Sequence, residues 1–82
     1  MSEPHAITRA RERHGVELTI RDLNEITGMI ERGESLRQGY LGRGAEQHIV
    51  MLRGFVLPVV FLPRDRAVIT VLPTFKLRKN RV

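Results

Sequence analysis

Between Phe55 and Phe75 the chain reads FVLPVVFLP, then RDR, then AVITVLPTF: two apolar runs on either side of a polar corner. Runs of Val, Ile, Leu and Phe suit a half-buried pleated surface, and Pro63-Arg64-Asp65-Arg66 supplies turn chemistry between them. The stretch predicts an antiparallel hairpin at the middle of the core, onto which everything upstream must pack or pair. It also narrows the alternatives. A membrane-spanning helix needs about 20 apolar residues in a row, and Pro58 interrupts the first run. Because proline cannot donate to a ladder, Pro58 predicts an edge or a bulge in that strand.

Upstream the apolar period changes. Ser2-Glu3-Pro4 reads as a helix entry, with Ser2 as N-cap and Pro4 in the first turn. That helix runs to His14 and ends at Gly15, where a left-handed residue is wanted. Its apolar content is thin, only Ala6, Ile7 and Ala10, so tertiary contacts must hold it. A second helix opens at Thr19, a capping residue with Asp22 in the first turn. Ile20, Leu23, Ile26 and Ile30 form its stripe, and Gly33 closes it. Gly28 inside it costs about 1 kcal/mol against Ala and predicts a close packing contact.

Past Gly33, strands are predicted over Ser35–Tyr40 and Gln47–Arg53, with Leu41 to Gly44 as the turn between them. His48, Val50 and Leu52 share one face of the second strand, and Gly54 turns the chain into the Phe55 run. Ala67 to Leu72 is the fourth strand. The order predicts an α+β domain: two N-terminal helices on one face of a four-stranded antiparallel sheet. It is a single domain over residues 1–82, with a basic tail from about residue 76.

Eighty-two residues support one small core. Absence of cysteine removes disulfides and thiolate metal sites, and three scattered histidines make no metal pair. Gly39, Gly42 and Gly44 lack the strand-to-helix setting of a nucleotide loop, so no cofactor is expected. The N-terminus lacks a basic start and an apolar segment, which predicts a cytoplasmic protein. Charge is uneven: residues 1–33 hold five basic and six acidic side chains, residues 34–82 nine and three. An excess of +5 suits a phosphate polymer as partner, or simply a basic soluble protein.

The polar residues of the first helix are ordered. His5, Arg9 and Arg13 fall at i, i+4 and i+8, along one gently drifting face. Histidine titrates near neutrality and arginine offers a fork of donors to phosphate oxygens. RNA backbone cleavage needs such a set: a group to take the 2′-hydroxyl proton, one to protonate the leaving 5′-oxygen, and cations for the phosphorane. Spacing alone equally fits a solvated face with Glu12 pairing to Arg9 or Arg13.

The pattern His5-Ala6-x-x-Arg9, Arg13-x-Gly15, a helix ending Glu31-Arg32-Gly33-Glu34, and a late Val68-Ile69-Thr70-Val71 resembles a family of small bacterial and phage domains of unknown function. That family is similar to the barnase–EndoU–colicin–RelE toxin superfamily. The resemblance spans roughly His5 to Pro73. It implies helices followed by a four-stranded antiparallel sheet, metal-independent RNA cleavage, and His5, Arg9, Arg13 and Thr70 as the site. One departure is His14, which stands between Arg13 and Gly15 and shifts the turn.

Thr70 is also a good strand former on a half-exposed face. His48 is either a second acid/base or a core-edge histidine satisfied by a backbone carbonyl, and His14 is a cap at a helix C-terminus. Lys76, Arg78, Lys79 and Arg81, with Arg53 and Arg43 near them, read as a phosphate-binding patch or as a solubilising terminus. With Tyr40, Phe55, Phe61 and Phe75 as the aromatic residues, stacking on bases is limited. The leading expectation is a small RNA-directed, metal-independent ribonuclease-like domain, of toxin type or a phage effector. An antitoxin or host protein is then the further partner. The alternative is a non-catalytic phage or prophage accessory module that binds nucleic acid or a host protein. A third is an interaction protein that pairs through a strand edge near Pro58.

Overall fold

The computed structural model describes residues 3–73. The elements run α1 (His5–His14), α2 (Ile20–Glu31), β1 (Leu36–Gly42), β2 (Ala45–Leu52), β3 (Phe55–Leu62) and β4 (Ala67–Val71). The four strands form one antiparallel meander in the order β1-β2-β3-β4, so the α+β architecture expected from the sequence is the one adopted. No helix among the described residues is long and apolar enough to cross a membrane.

Strand alternation decides which face is covered. His48, Val50 and Leu52 of β2 lie with Leu57, Val59 and Phe61 of β3, and this face joins Ala6, Ile7 and Ala10 of α1 and Ile26 and Ile30 of α2 in one core. In β4, Thr70 opposes Val60 and Val68 opposes Phe61, which leaves Ile69 without a partner. That bulge shifts the phase, so Val68 and Val71, three apart, both reach the core. Two-residue turns join β1 to β2 and β2 to β3. Arg43-Gly44 and Arg53-Gly54 have positive φ throughout (55°, 79°, 51°, 84°), the twist that fits a tight hairpin.

Pro58 departs from expectation. It lies in β3, a central strand, with an unbroken register to β2 and full burial, not at an edge or a bulge. The reason is local. The Leu72 N–H donates to the Pro58 carbonyl (2.8 Å), and this pairing would ordinarily be returned by an N–H at position 58. Proline has none, so the Leu72 carbonyl is left for another donor. His14 Nε2 takes it at 2.7 Å. The missing ladder bond thus becomes a docking point for α1, and among the described residues Pro58 itself is not the open edge position that the third reading requires.

The helix ends differ from each other. Pro4 itself occupies the N-cap position of α1 with no side-chain bond, rather than the first turn, and Ser2 lies outside the described residues. Gly15 closes α1 in the left-handed conformation (φ 66°). On α2, Thr19 and Asp22 complete a reciprocal capping box. Ile20, assigned to the stripe, is 54% exposed; Leu23 is partly buried, and Ile26 and Ile30 complete the packed set. Gly28 meets no neighbouring element: a Cβ there would approach Arg32 Nη1 at 2.9 Å, the far end of a side chain folded along the same helix.

Candidate functional site

The row His5–Arg9–Arg13 follows from helix geometry. Steps of four residues turn the row by about 40° each, so it drifts around α1 until its last member, itself still exposed, comes level with the end of β4. His5 is exposed, Arg9 half-buried, and Arg13 reaches the outer side of β4, where Nη1 donates to the Val71 carbonyl at 3.0 Å. The bonds along the row are directional. Arg9 Nε donates to His5 Nε2 (3.1 Å), and Arg9 Nη1 donates to Glu12 (2.7 Å). Since Nε2 accepts, the proton of the neutral His5 ring sits on Nδ1. Arg13 and His14 act together as polar anchors of α1 on the end of β4. The cap role expected for His14 is therefore a tertiary bond.

Thr70 lies elsewhere. It opposes Val60, whose neighbours Val59 and Phe61 face the helices, so Thr70 projects from the opposite face of the sheet. That face also carries Leu36, Ile49, Met51, Val56 and Pro58, which is hydrocarbon and not a phosphate-binding surface. The three α1 residues share one row; Thr70 is not brought to it.

Charge is distributed differently from the half-and-half division in the sequence. Residues 3–73 hold ten arginines against nine carboxylates; the remaining cations are Lys76, Arg78, Lys79 and Arg81, all outside the described residues. Most arginines of the body are committed. Arg53 makes a bidentate pair with Asp22 (2.6 and 3.2 Å), tying the β2–β3 turn to the start of α2. This guanidinium, helped by the Thr19 bonds, holds the Asp22 carboxyl down at about 2. Arg11 sits between Glu3 and Glu17, depressing both carboxyls and itself moving upward. Arg66 does the same to Glu31. Arg21, Arg43 and Arg64 have no ion-pair partner among the described residues. Arg43 and Arg64 line one shallow cleft with Gly44, Leu62 and Pro63.

A second constellation was not legible in the sequence. His48 is 5% exposed and is satisfied by side chains, not by a backbone carbonyl. Ser35 Oγ lies 2.7 Å from its Nδ1, and Glu46 Oε1 lies 2.8 Å from its Nε2. The Phe61 ring and the imidazole form a T-shaped pair, with centroids 6.0 Å apart and planes perpendicular. Arg37 approaches Glu46 at 3.8 Å and is itself held by Tyr40, through a 3.0 Å bond to the hydroxyl and a stacking distance of 5.1 Å. Ser35, Arg37, Glu46, His48 and Phe61 line a cleft of about 380 Å³ with Ile30, Glu31 and Pro63. The available signal was the Glu46-x-His48 alternation, which places both on one strand face; Ser35 is 13 residues away, and only the β1–β2 pairing brings it in.

Among the described residues no three His, Cys, Asp or Glu side chains gather into a group able to hold a metal ion. Comparison of the chain with family models, with curated proteins and with solved structures finds no match.

Proposed function

We propose that the chain is a small RNA-directed domain, ribonuclease-like and metal-independent. The outer row of α1 meets the phosphodiester backbone. One observation carries this reading: among the described residues, only at His5 does an imidazole stand in solvent bonded to a guanidinium. His14 is bound to a carbonyl and His48 is buried.

A phosphate oxygen competes with Glu12 and with His5 for Arg9, because charge-assisted pairing to phosphate suits the guanidinium fork. Once Arg9 turns to phosphate, the Nε2 lone pair of His5 is free to accept the 2′-hydroxyl proton. The 2′-oxygen then attacks phosphorus, the 5′-oxygen leaves with a proton from solvent, and Arg9 offsets the charge of the phosphorane. Arg13 sets the pose of the row through Val71. Thr70 enters this reading only through the family resemblance. The cations Lys76, Arg78, Lys79 and Arg81 are the proposed further backbone contacts, joined by Arg53 only where a phosphate displaces its Asp22 pair. A cytoplasmic toxin or phage effector with an antitoxin or host partner is the setting that fits.

The test is RNA incubated with purified protein, with and without EDTA. Cleavage should persist in EDTA and fall about a hundredfold or more in His5→Ala. No cleavage above the His5→Ala level overturns the proposal. A second reading, a non-catalytic accessory module for nucleic acid or a host protein, is favoured by two observations: Thr70 faces away from the row, and Arg9 and Arg13 already have intramolecular partners. Salt-sensitive gel shifts without turnover are its signature.

A further inference from the structure

The Ser35–His48–Glu46 chain has a feature that the RNA reading does not use. A carboxylate oxygen can only accept, so Glu46 at 2.8 Å requires a proton on His48 Nε2. The neutral ring then has its lone pair on Nδ1, and Ser35 Oγ at 2.7 Å must be the donor to it. The serine proton is thus aimed into an imidazole that a carboxylate orients from behind. Phe61 against the ring and Arg37 beside the carboxylate hold that order in place. Ser35 itself is half-buried, in the loop after α2, and faces the same cleft. The roles are those of an activated nucleophile, its base and an orienting acid, recognised by geometry and not by chain position.

We propose that Ser35 is a nucleophile toward small carboxylic esters, with His48 as its general base and Glu46 as a positioning residue. In the first step the Ser35 proton passes to His48 Nδ1 and Oγ bonds to the ester carbonyl carbon. The carbon–oxygen bond to the alcohol then breaks, and the alcohol leaves with the proton from Nδ1. In the second step water gives a proton to Nδ1 and its oxygen attacks the acyl carbon; the bond to Oγ breaks and Ser35 recovers its proton. The apolar wall of Ile30, Phe61 and Pro63 suits a short acyl chain. Arg37, which lines the same cleft, is the cation available to the developing oxyanion.

The experiment is labelling of the full chain with a fluorophosphonate, with the modified residue located by peptide mass spectrometry, alongside hydrolysis of p-nitrophenyl acetate. The expected result is a single label on Ser35, none in Ser35→Ala, and labelling slowed about a hundredfold in His48→Gln. Because His48 is buried and its variant risks misfolding, Glu46→Gln provides the second handle. It should slow labelling more than tenfold, and nitrogen chemical shifts of His48 should move from the Nε2–H form toward a tautomer mixture. A purely structural network would leave the labelling rate of the folded variant unchanged. Folded wild-type protein that carries no label on Ser35, or a Glu46→Gln rate equal to wild type, overturns the proposal. Neither result depends on whether the protein acts on RNA.

Discussion

The two helices sit on the same sheet face but are held in different ways. In α2 a complete capping box at Thr19 and Asp22 sets the start, Ile26 and Ile30 are buried at helical spacing, and Arg53 and Arg66 pair from the sheet turns with Asp22 and Glu31. In α1 the N-cap position is a proline without a side-chain bond, and the buried set is two alanines and one isoleucine. What fixes α1 is polar and tertiary: Arg13 and His14 on the last carbonyls of the β4 segment, and Arg11 between Glu3 and Glu17. On the RNA-directed reading proposed above, the difference separates stability from function along a single row. Its C-terminal end docks the helix; its N-terminal end, His5 and Arg9, stays in reach of a partner.

The largest effects should come from opposite kinds of change in the two helices. Ile26→Ala, at a fully buried position of α2, should cost about 2–5 kcal/mol in denaturant unfolding. In α1 the contact depends on small residues, so enlargement is the damaging change. Ala10→Leu should cost about 1–3 kcal/mol by forcing α1 off β4. If Ala10→Leu is neutral, the contact is looser than described.

His14→Ala should follow at about 1–3 kcal/mol, because it leaves the part-buried Leu72 carbonyl without a donor. Pro58→Ala sharpens this. The restored N–H can return the Leu72 pairing, so the loss from His14→Ala should shrink in that background, with a coupling of at least about 0.5 kcal/mol in a double-mutant cycle. An additive cycle would break the link between the proline and the histidine.

The cap of α2 can be read by pH. The folded Asp22 carboxyl lies at about 2, below the ordinary value of 3.8. A group depressed in the folded state stabilises fully above its unfolded value and loses that contribution as pH falls through the folded one. Stability should therefore fall between pH 4 and pH 2, and less steeply in Arg53→Gln, which removes the main cause. Melting curves across that window check the difference. The smallest effect is Gly28→Ala, which should stabilise α2 by up to about 1 kcal/mol, since only the movable Arg32 guanidinium stands in the way.

Much of the architecture was legible because local signals agreed. The period change after Gly33, the alternation His48-Val50-Leu52 and the Pro63–Arg66 turn each point to the observed element. Pro58 misled because a proline excludes a ladder bond only on the side its nitrogen faces, and that side is decided by pairing with Leu72. Ile69 was opaque for a similar reason: a bulge is a property of two strands, and only its consequence, Thr70 on the far face, bears on the site. Of the site, the drift of His5, Arg9 and Arg13 follows from spacing alone. Their partners do not, and the Ser35–His48–Glu46 chain needs the register between β1 and β2 to be known.

The most direct measurement compares His5→Ala with His14→Ala in one pair of assays, RNA turnover and thermal melting. His5→Ala should melt with the wild type and lose action on RNA; His14→Ala should melt lower and, while folded, keep it. RNA handling that survives in His5→Ala, or that disappears only with the fold, would contradict the assignment of function to the free end of α1.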